Sequence, residues 1–171
     1  MRGLFIGRFQ PLHLGHMSII EHALGEVKTL IIGVGSAEKS FLPEDPFSAG
    51  ERIEMILRTA ESRGLEDRII PIPIRDINRY SVWVDHVVSI CPPFDVVYAN
   101  NPLTRTLFSE RGIEVRSTPL VDRTKLSGVK IRKWIAEGDS WRILVPDSVE
   151  EVMEEVDGVR RIKDIHGEAD E

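Results

Sequence analysis

The stretch "GRFQPLHLGH", residues 7–16, joins a short apolar run to a helical pattern. The run before it, Leu4 to Ile6, predicts a buried strand, and Gly7-Arg8 marks the point where that strand ends. His13 and His16 then lie where a helix should begin. Two imidazoles and a guanidinium this close together are unusual at the start of a helix. We therefore treat the connection between the strand and the helix, residues 7–16, as a candidate functional segment.

Strand patterns alternate with helix patterns along the rest of the chain. The predicted strands are residues 2–7, 29–35, 68–74, 94–99 and 113–117. The predicted helices are residues 14–25, 48–63, 81–90, 102–111, 127–137 and 147–156. Strands separated by helices pair in parallel. We therefore expect an α/β fold: a Rossmann-like, doubly wound parallel sheet of about five strands, with helices on both faces and helices at the C-terminal end.

Three kinds of signal support the helices. Ser48 and Glu51 have the spacing of a capping box, while Ser127 and Asp147 are expected to cap the last two predicted helices. Apolar residues also recur on one face of each helix, as expected for helices that cover a sheet. The predicted faces comprise Ile20, Ala23 and Leu24; Ile53, Ile56, Leu57 and Ala60; Val84, Val87 and Val88; and Leu103, Leu107 and Phe108.

In an open parallel sheet, ligands bind at the carboxyl ends of the strands, near the point where the winding reverses. Gly7-Arg8 is that end of the first strand. Unpaired backbone N–H groups at a helix start attract phosphates, and Gly15 would let a phosphate approach without a Cβ in the way. The alternative is that one histidine caps the turn and the other packs in the core, which is the commoner role for a single histidine. Two histidines beside an arginine favour a nucleoside triphosphate site.

A second basic segment is "KLSGVKIRK", residues 125–133. Ser127 is expected to cap a helix, Gly128 leaves the first turn unobstructed, and Arg132 projects from the next turn. Such a helix start can bind an anion. Basic residues on an exposed helix are more often simply solvated. Anion binding is the better-supported interpretation of this cluster because the chain also contains the first basic segment, residues 7–16.

Charge and cysteine content limit the classes of function. The net charge of −6 is concentrated in residues 147–171, which hold 10 acidic and 3 basic side chains, so the rest of the chain is nearly neutral. A non-specific nucleic-acid binder needs a broad basic face, which this distribution does not supply. Cys91 is the only cysteine, and no apolar run is long enough for a membrane span. We expect one cytoplasmic domain over residues 1–171, without a signal peptide, that ends in an acidic helix and tail from about 147.

The two basic segments together resemble the nucleotidylyltransferase superfamily of the HxGH type. Its members carry an HxGH turn after the first strand, here His13 to His16, and a late S/T-x-x-x-x-R helix start, here Ser127 to Arg132. Within it the chain is similar to the archaeal-type nicotinamide-nucleotide adenylyltransferases. That likeness covers nearly the whole chain and includes "DPFSAGER" and "PPFDVVYANNPLTRTLF".

The resemblance implies an enzyme that joins nicotinamide mononucleotide to ATP, giving NAD and pyrophosphate by direct in-line attack on the α-phosphorus of ATP. It implies that His16 holds the α-phosphate, that His13 contacts the triphosphate, and that Arg8 and Arg132 bind the β- and γ-phosphates. Further residues expected to bind ATP or its phosphates are Gly7, Gly15, Ser127, Lys39 and Asn101. The resemblance implies Mg²⁺ that arrives with ATP, because no carboxylate cluster looks like a dedicated metal site. It also implies that the chain assembles into a homo-oligomer, and specifically into a hexamer.

For the nicotinamide end, Trp83 is the best candidate because a flat aromatic ring can stack on the cationic pyridinium. The competing interpretation places Trp83 in the core. The other candidates lie after the second and third strands: Ser36, Asp76, Ile77 and Tyr80. Two positions depart from the family pattern. Glu44 replaces a basic residue, for which Lys39 is the candidate substitute, and Tyr80 replaces an asparagine.

Two other functions remain open at this level. One is an adenylyltransferase of the same superfamily with another acceptor, phosphopantetheine or FMN, which would differ around residues 76–84. The other is a non-catalytic sensor that binds ATP or NAD. The sequence does not decide between nicotinamide and nicotinic acid mononucleotide, the preferred metal or the oligomeric state.

Overall fold

The computed structural model describes residues 1–168, and its centre is a parallel sheet of five strands. In chain order the strands are β1 (Arg2–Gly7), β2 (Thr29–Val34), β3 (Ile69–Pro73), β4 (Val96–Tyr98) and β5 (Glu114–Arg116). Their order across the sheet is β3-β2-β1-β4-β5. The winding therefore reverses between β1 and β4, and the predicted doubly wound sheet is confirmed.

The central strand β1 explains why the first apolar run is almost continuous. Leu4 pairs with Ile31 of β2 on one side and with Val97 of β4 on the other. All three side chains are almost completely buried. A strand in the middle of a parallel sheet is covered on both faces, so it has no need for alternating polar residues.

Helices cover both faces of this sheet. Their bounds are α1 (Leu14–Glu26), α2 (Ala49–Ser62), α3 (Tyr80–Ile90), α4 (Pro102–Glu110), α5 (Gly128–Glu137), α6 (Asp147–Glu155) and α7 (Gly158–Glu168). Apolar residues of α1, α2, α5, α6 and α7 share one core with the sheet. Residues of α3 and α4 form a separate core on the opposite face. The six predicted helices are confirmed to within one residue at each end.

Three predictions about the helices are wrong. Asp147 is the first residue of α6, not its cap; Pro146 precedes the helix, and no side chain caps it. The helix from residue 147 is not the last one, because α7 follows after a turn at Asp157, whose φ is +54°. The third error concerns three side chains that were predicted to face the core. They are instead 40–48% exposed: Leu57, Val88 and Leu103. The tail at residues 169–171 lies outside the described residues.

The exposed Leu57 has a specific cause. The buried face of α2 is centred on Met55 and Ile56 and includes Arg52, which is completely buried. The apolar pattern left Arg52 out of the buried face and included Leu57 instead. Across residues 1–168, no helix is both long and apolar enough to cross a bilayer.

Candidate active site

A cavity of about 440 Å³ opens at the carboxyl ends of β1 and β4, where the winding reverses. This is the location predicted for a ligand site in an open parallel sheet. Eight of the residues predicted to bind ATP or to act on it line the cavity: Gly7, Arg8, His13, Gly15, His16, Asn101, Ser127 and Arg132. The two basic segments, far apart in sequence, thus face one cavity.

His13 and His16 form a reciprocal capping box at the start of α1. The His16 backbone N–H donates to Nδ1 of His13, and the His13 backbone N–H donates to Nδ1 of His16. The rings stack with centroids 3.6 Å apart. The sequence alternative assigned one histidine to the cap and the other to the core, whereas here both rings take part in the cap and both also line the cavity.

The capping bonds determine which ring nitrogen carries the proton. Since each Nδ1 accepts a backbone N–H, a neutral ring carries its proton on Nε2. Burial, and after it the charge of Arg123, lowers the pKa of His13 from its usual 6.5 to about 4. Burial, then His13 and Arg123, lower the pKa of His16 well below its usual value. At neutral pH the ligand-free site therefore has two neutral imidazoles, each with an Nε2–H donor.

Gly15 is constrained by the stacked rings. A Cβ at this position would lie 2.8 Å from Cγ1 of Val121 and 3.1 Å from the His13 ring. A side chain there would displace His13 from its cap or push away the segment before α5. The absence of a side chain at Gly15 thus keeps the histidines in place as well as leaving the helix start open.

Arg132 is held at the base of the cavity by a backbone contact. Its side chain is 5% exposed, and its Nη1 donates to the Gln10 carbonyl oxygen over 2.8 Å. Gly128 makes this possible, because a Cβ there would lie 2.9 Å from the same Nη1. Ser127 caps α5 by accepting the Lys130 N–H, so that predicted cap is confirmed. The start of α5 and Arg132 therefore face the cavity as one rigid unit.

Arg8 extends from the end of β1 and is half-exposed. Its Nη1 lies 3.6 Å from Oδ1 of the buried Asp45. Its backbone oxygen accepts a hydrogen bond from Nη1 of Arg52, which also donates to the Gly35 oxygen, while Nη2 donates to the Ser36 oxygen. Arg52 thus ties together the segments that follow β1 and β2.

Asn101 borders the cavity on the β4 side and caps α4 by accepting the Thr104 N–H. Next to it, Asn100 exchanges hydrogen bonds with the backbone and hydroxyl of Thr118. These bonds fix the segment after β4 against the segment after β5. Asn100, Thr118 and Arg123 also line the cavity, and the sequence analysis did not identify them.

A polar cluster lies at the ends of β2 and β3, on the other side of β1 from β4. Ser36 donates its hydroxyl to Oδ2 of Asp76 over 2.9 Å, and Nζ of Lys39 lies 3.0 Å from the same oxygen. The Asp76 N–H donates to the Glu38 carboxylate. The lysine and the hydroxyl hold the pKa of Asp76 below its usual value although burial opposes them. Lys39 was predicted to bind phosphate, but it is paired with Asp76, which was predicted to bind nicotinamide mononucleotide.

The remaining predicted residues do not line the cavity. Trp83 is half-buried on α3 and packs edge to face on Phe108, with centroids 5.5 Å apart. Tyr80 begins α3 and is 65% exposed, and Ile77 is half-buried in the segment before it. Ile77 precedes α3 and Tyr80 is its first residue, whereas Trp83 contacts α4 through Phe108. None of the residues predicted to bind nicotinamide mononucleotide lines the cavity that most of the predicted ATP residues share.

Gln10, Asp45 and Arg52 are buried residues that support the site and that sequence reasoning missed. Gln10 holds Phe47 through both amide atoms and accepts from Arg132 with its backbone oxygen. Arg52 could have been noticed as the charged residue one turn before the buried pair Met55 and Ile56. For Gln10 and Asp45 the sequence contains no periodic signal, since both lie in loops.

The chemistry of the donor set argues for a metal that comes with its ligand. Within residues 1–168, no three His, Cys, Asp or Glu side chains are grouped as metal ligands. Asp45 is the buried carboxylate beside the cavity-lining Arg8, and it faces that guanidinium. Mg²⁺ is commonly held by substrate phosphates and water. The residues present fit that mode of binding.

Comparison with known families and curated proteins gives consistent results. The profile of the cytidylyltransferase-like family matches residues 4–134. Nicotinamide-nucleotide adenylyltransferase from Archaeoglobus fulgidus is 47% identical over 171 residues, with 98% of both chains covered. The proteins of that name from Haloarcula marismortui and Methanothrix thermoacetophila are each 50% identical, with 96% of this chain covered and 87% and 95% of theirs.

Solved structures share the fold at lower identity. A bifunctional NMN adenylyltransferase/ADP ribose pyrophosphatase from Francisella tularensis, complexed with AMP and a manganese ion, superimposes with a TM-score of 0.77 at 20% identity. The match covers 99% of this chain and 52% of that one. A putative nicotinate-nucleotide adenylyltransferase from Vibrio parahaemolyticus gives a TM-score of 0.59 at 19% identity, covering 89% and 97%.

Proposed function

This chain belongs to the nicotinamide-nucleotide adenylyltransferases of the cytidylyltransferase-like family, and from that membership we propose how its residues perform the reaction. The enzyme joins nicotinamide mononucleotide to ATP and forms NAD and pyrophosphate. The cavity that joins the start of α1 to the start of α5 is the observation that carries the proposal. Two helix N-termini, two imidazole donors and two arginines there face one space that can hold a triphosphate.

The reaction needs no protein nucleophile. The phosphate of nicotinamide mononucleotide is already an anion at neutral pH, and it attacks the α-phosphorus of ATP in line with the departing pyrophosphate. The protein therefore has to position two anions and stabilise the charge that develops on the phosphoryl oxygens. Groups that donate hydrogen bonds from fixed positions are suited to that task.

His16 and His13 serve as such donors. Each ring is fixed by its Nδ1 contact with the backbone, so that Nε2–H is the donor available to a ligand in the cavity. In this proposal Nε2 of His16 donates to an α-phosphate oxygen as the five-coordinate centre forms, and His13 donates to the triphosphate. A neutral imidazole suits this position, because its Nε2–H stabilises the developing charge and is much less acidic than an imidazolium, so the proton stays on the ring.

Arg132 and Arg8 bind the β- and γ-phosphates and stabilise the leaving pyrophosphate. Guanidinium groups suit this role because their paired N–H groups match phosphate oxygens. Arg132 is buried and fixed by the Gln10 oxygen, whereas Arg8 is half-exposed and faces the carboxylate of Asp45. Magnesium or another divalent cation would be held by the triphosphate and would supply further neutralisation of its charge.

The acceptor is proposed to bind on the other side of β1. Ser36 and Asp76 follow β2 and β3, which lie on the side of β1 opposite to β4, and Trp83 is on α3, the helix that follows β3. The nucleotide on the β4 side and the acceptor on the β3 side would then meet above Gly7 and His16. That arrangement places the attacking and leaving groups on opposite sides of the α-phosphorus, as in-line displacement requires.

The alternatives from the sequence analysis are less well supported. Phosphopantetheine and FMN as acceptors are disfavoured because the curated relatives at 47–50% identity are named for nicotinamide nucleotide. A non-catalytic sensor is disfavoured because these relatives are enzymes. A single-domain organisation and a cytoplasmic location remain proposals that rest on the chain length and the single cysteine, and assembly into a homo-oligomer, a hexamer, remains a proposal that rests on the resemblance.

An acceptor screen tests the function. The purified protein with Mg-ATP should release pyrophosphate and form NAD when nicotinamide mononucleotide is added, and should form no product with phosphopantetheine or FMN. Nicotinic acid mononucleotide in the same screen measures selectivity at the carboxamide. Pyrophosphate release with FMN or phosphopantetheine, and none with nicotinamide mononucleotide, would overturn the proposed acceptor.

A further inference from the structure

Asp45 is an unusual residue beside the triphosphate site. It is 3% exposed, and its Oδ1 has no hydrogen-bond partner among residues 1–168. Buried carboxylate oxygens are normally hydrogen-bonded, so this one requires an explanation. The cationic group facing it is Nη1 of Arg8 at 3.6 Å, a distance that suits an ion pair and is too long for a hydrogen bond.

The backbone around Asp45 is fixed on three sides. Asp45 and Leu42 exchange backbone hydrogen bonds across a turn. Gln10 binds both the N–H and the oxygen of Phe47. From α7, Arg161 donates to the Pro46 oxygen. The backbone that carries the buried Asp45 carboxylate is therefore held in place by contacts that do not involve Arg8.

The charge balance explains why a carboxylate is needed there. Arg8 and Arg132 both line the cavity. Burial and the charge of Arg8 lower the pKa of Arg132, whereas the charge of Asp45 raises it. Burial also lowers the pKa of Arg52, and Asp45 again opposes the shift. Without a counter-charge, the half-exposed Arg8 would gain by turning away from Arg132 into solvent. Asp45 does not line the cavity, so it acts on the ligand through Arg8.

We infer that Asp45 is a positioning residue, whose fixed carboxylate holds the Arg8 guanidinium beside Arg132 before ATP arrives. The inference rests on the proposed function only in that ATP is taken as the ligand of the cavity. Because both arginines are then in place at binding, ATP does not have to recruit Arg8 from solvent.

A double-mutant cycle on ATP binding tests this inference. Mg-ATP would be titrated calorimetrically, without acceptor, into the wild type, Asp45→Asn, Arg8→Ala and the double variant. We expect Asp45→Asn to weaken ATP binding about tenfold, a coupling within the range seen for contacting residues. In the Arg8→Ala background the same change should have no further effect, because the group that Asp45 positions is gone.

Asp67→Asn is the matched control. It makes the same substitution at an exposed carboxylate that neither pairs with Arg8 nor lines the cavity among the described residues, and it should leave ATP binding within about twofold. In steady-state assays Asp45→Asn should raise the KM for ATP and leave kcat and the KM for nicotinamide mononucleotide nearly unchanged. A change in both KM values together with a lower melting temperature would instead indicate a structural role and would overturn the inference.

Other outcomes are equally decisive. Unchanged or tighter ATP binding by Asp45→Asn, or an additive loss in the Arg8→Ala background, would overturn the inference. Asp45→Ser serves as a second variant, and failure of both variants to fold would show that the carboxylate serves the fold itself and would also overturn it. If the wild type binds ATP and forms no NAD, the proposed function fails while the binding cycle still decides the role of Asp45.

Discussion

His16 combines two roles, since its Nδ1 caps α1 and its Nε2–H is left for a ligand in the cavity. We predict that His16→Ala lowers kcat by about 10² or more, because removing one donor aimed at developing charge typically costs that much. The melting temperature should fall only modestly, since His13 still caps the helix. Turnover of NAD synthesis and thermal unfolding, measured on the same preparation, check the prediction.

His22 supplies the control for His16 on the same helix. Its ring packs edge to face on Tyr98 and it does not line the cavity. His22→Ala should therefore leave kcat within about twofold, as expected for a surface substitution away from the site. Near-normal turnover in folded His16→Ala would remove that residue from the mechanism.

His13 makes the stability of the ligand-free protein depend on pH. Its pKa is about 4 in the folded state, below the usual value of 6.5 for histidine. Above pH 6.5 neither state is protonated, so His13 has no effect there. As the pH falls below 6.5 the unfolded state takes up the proton first, which favours unfolding. By pH 5 the loss from this residue should reach about 2 kcal/mol.

His13→Asn isolates this contribution, because asparagine also caps helices well. Urea unfolding at pH 7.5 and pH 5 should show that the variant loses about 2 kcal/mol less stability than the wild type over that interval. Equal losses in the two proteins would mean that folding does not lower the pKa of His13, so that the ring would be protonated in the folded protein at pH 5.

At the scale of elements, α2 shows what a periodic pattern predicts and what it misses. The capping box of Ser48 and Glu51 and the bounds of the helix were predicted and are confirmed. The role of Arg52 was not predicted, because an apolar periodicity assigns every charged residue to the exposed face. Arg52 is buried because carbonyl oxygens at the ends of β1 and β2 have no partner in the sheet, and a guanidinium can bind several of them at once.

We predict that Arg52→Met destabilises the protein by about 3 kcal/mol or more, because it leaves buried carbonyl groups without donors. Arg58→Met on the same helix is the control. Arg58 pairs at the surface with Glu54 and Glu155, and its loss should cost at most about 1 kcal/mol. Denaturant unfolding of both variants provides the measurement, and similar losses would show that the buried contacts of Arg52 contribute little.

Considered as a whole molecule, the fold was largely predictable and the supporting contacts were not. Alternating strands and helices limit the chain to a parallel sheet with few topologies, and the cavity position follows from the reversal of winding at β1. Side chains that act through loops, such as Gln10 and Asp45, depend on contacts between residues far apart in sequence. No local pattern encodes such contacts, so the sequence alone did not reveal them.

The role proposed for Trp83 in acceptor binding can be tested separately from ATP binding. If its ring stacks on nicotinamide, Trp83→Ala should raise the KM for nicotinamide mononucleotide about thirtyfold, the equivalent of a desolvated cation–π contact of about 2 kcal/mol. ATP binding should change by less than about twofold, because Trp83 does not line the cavity proposed for ATP. Trp83→Phe should retain part of the acceptor affinity.

The structure also shows how this prediction could fail. Trp83 packs on Phe108 and joins α3 to α4 in the second core, so its removal leaves a gap between two helices. If packing is its main role, Trp83→Ala should lose about 3–5 kcal/mol of stability, as large-to-small core substitutions do, and both substrates should be affected. A selective rise in the acceptor KM with a small change in melting temperature would support stacking, because a damaged core cannot distinguish the two substrates. A large fall in melting temperature without that selectivity would assign Trp83 to the core and would leave Ser36 and Asp76 as the acceptor residues to test.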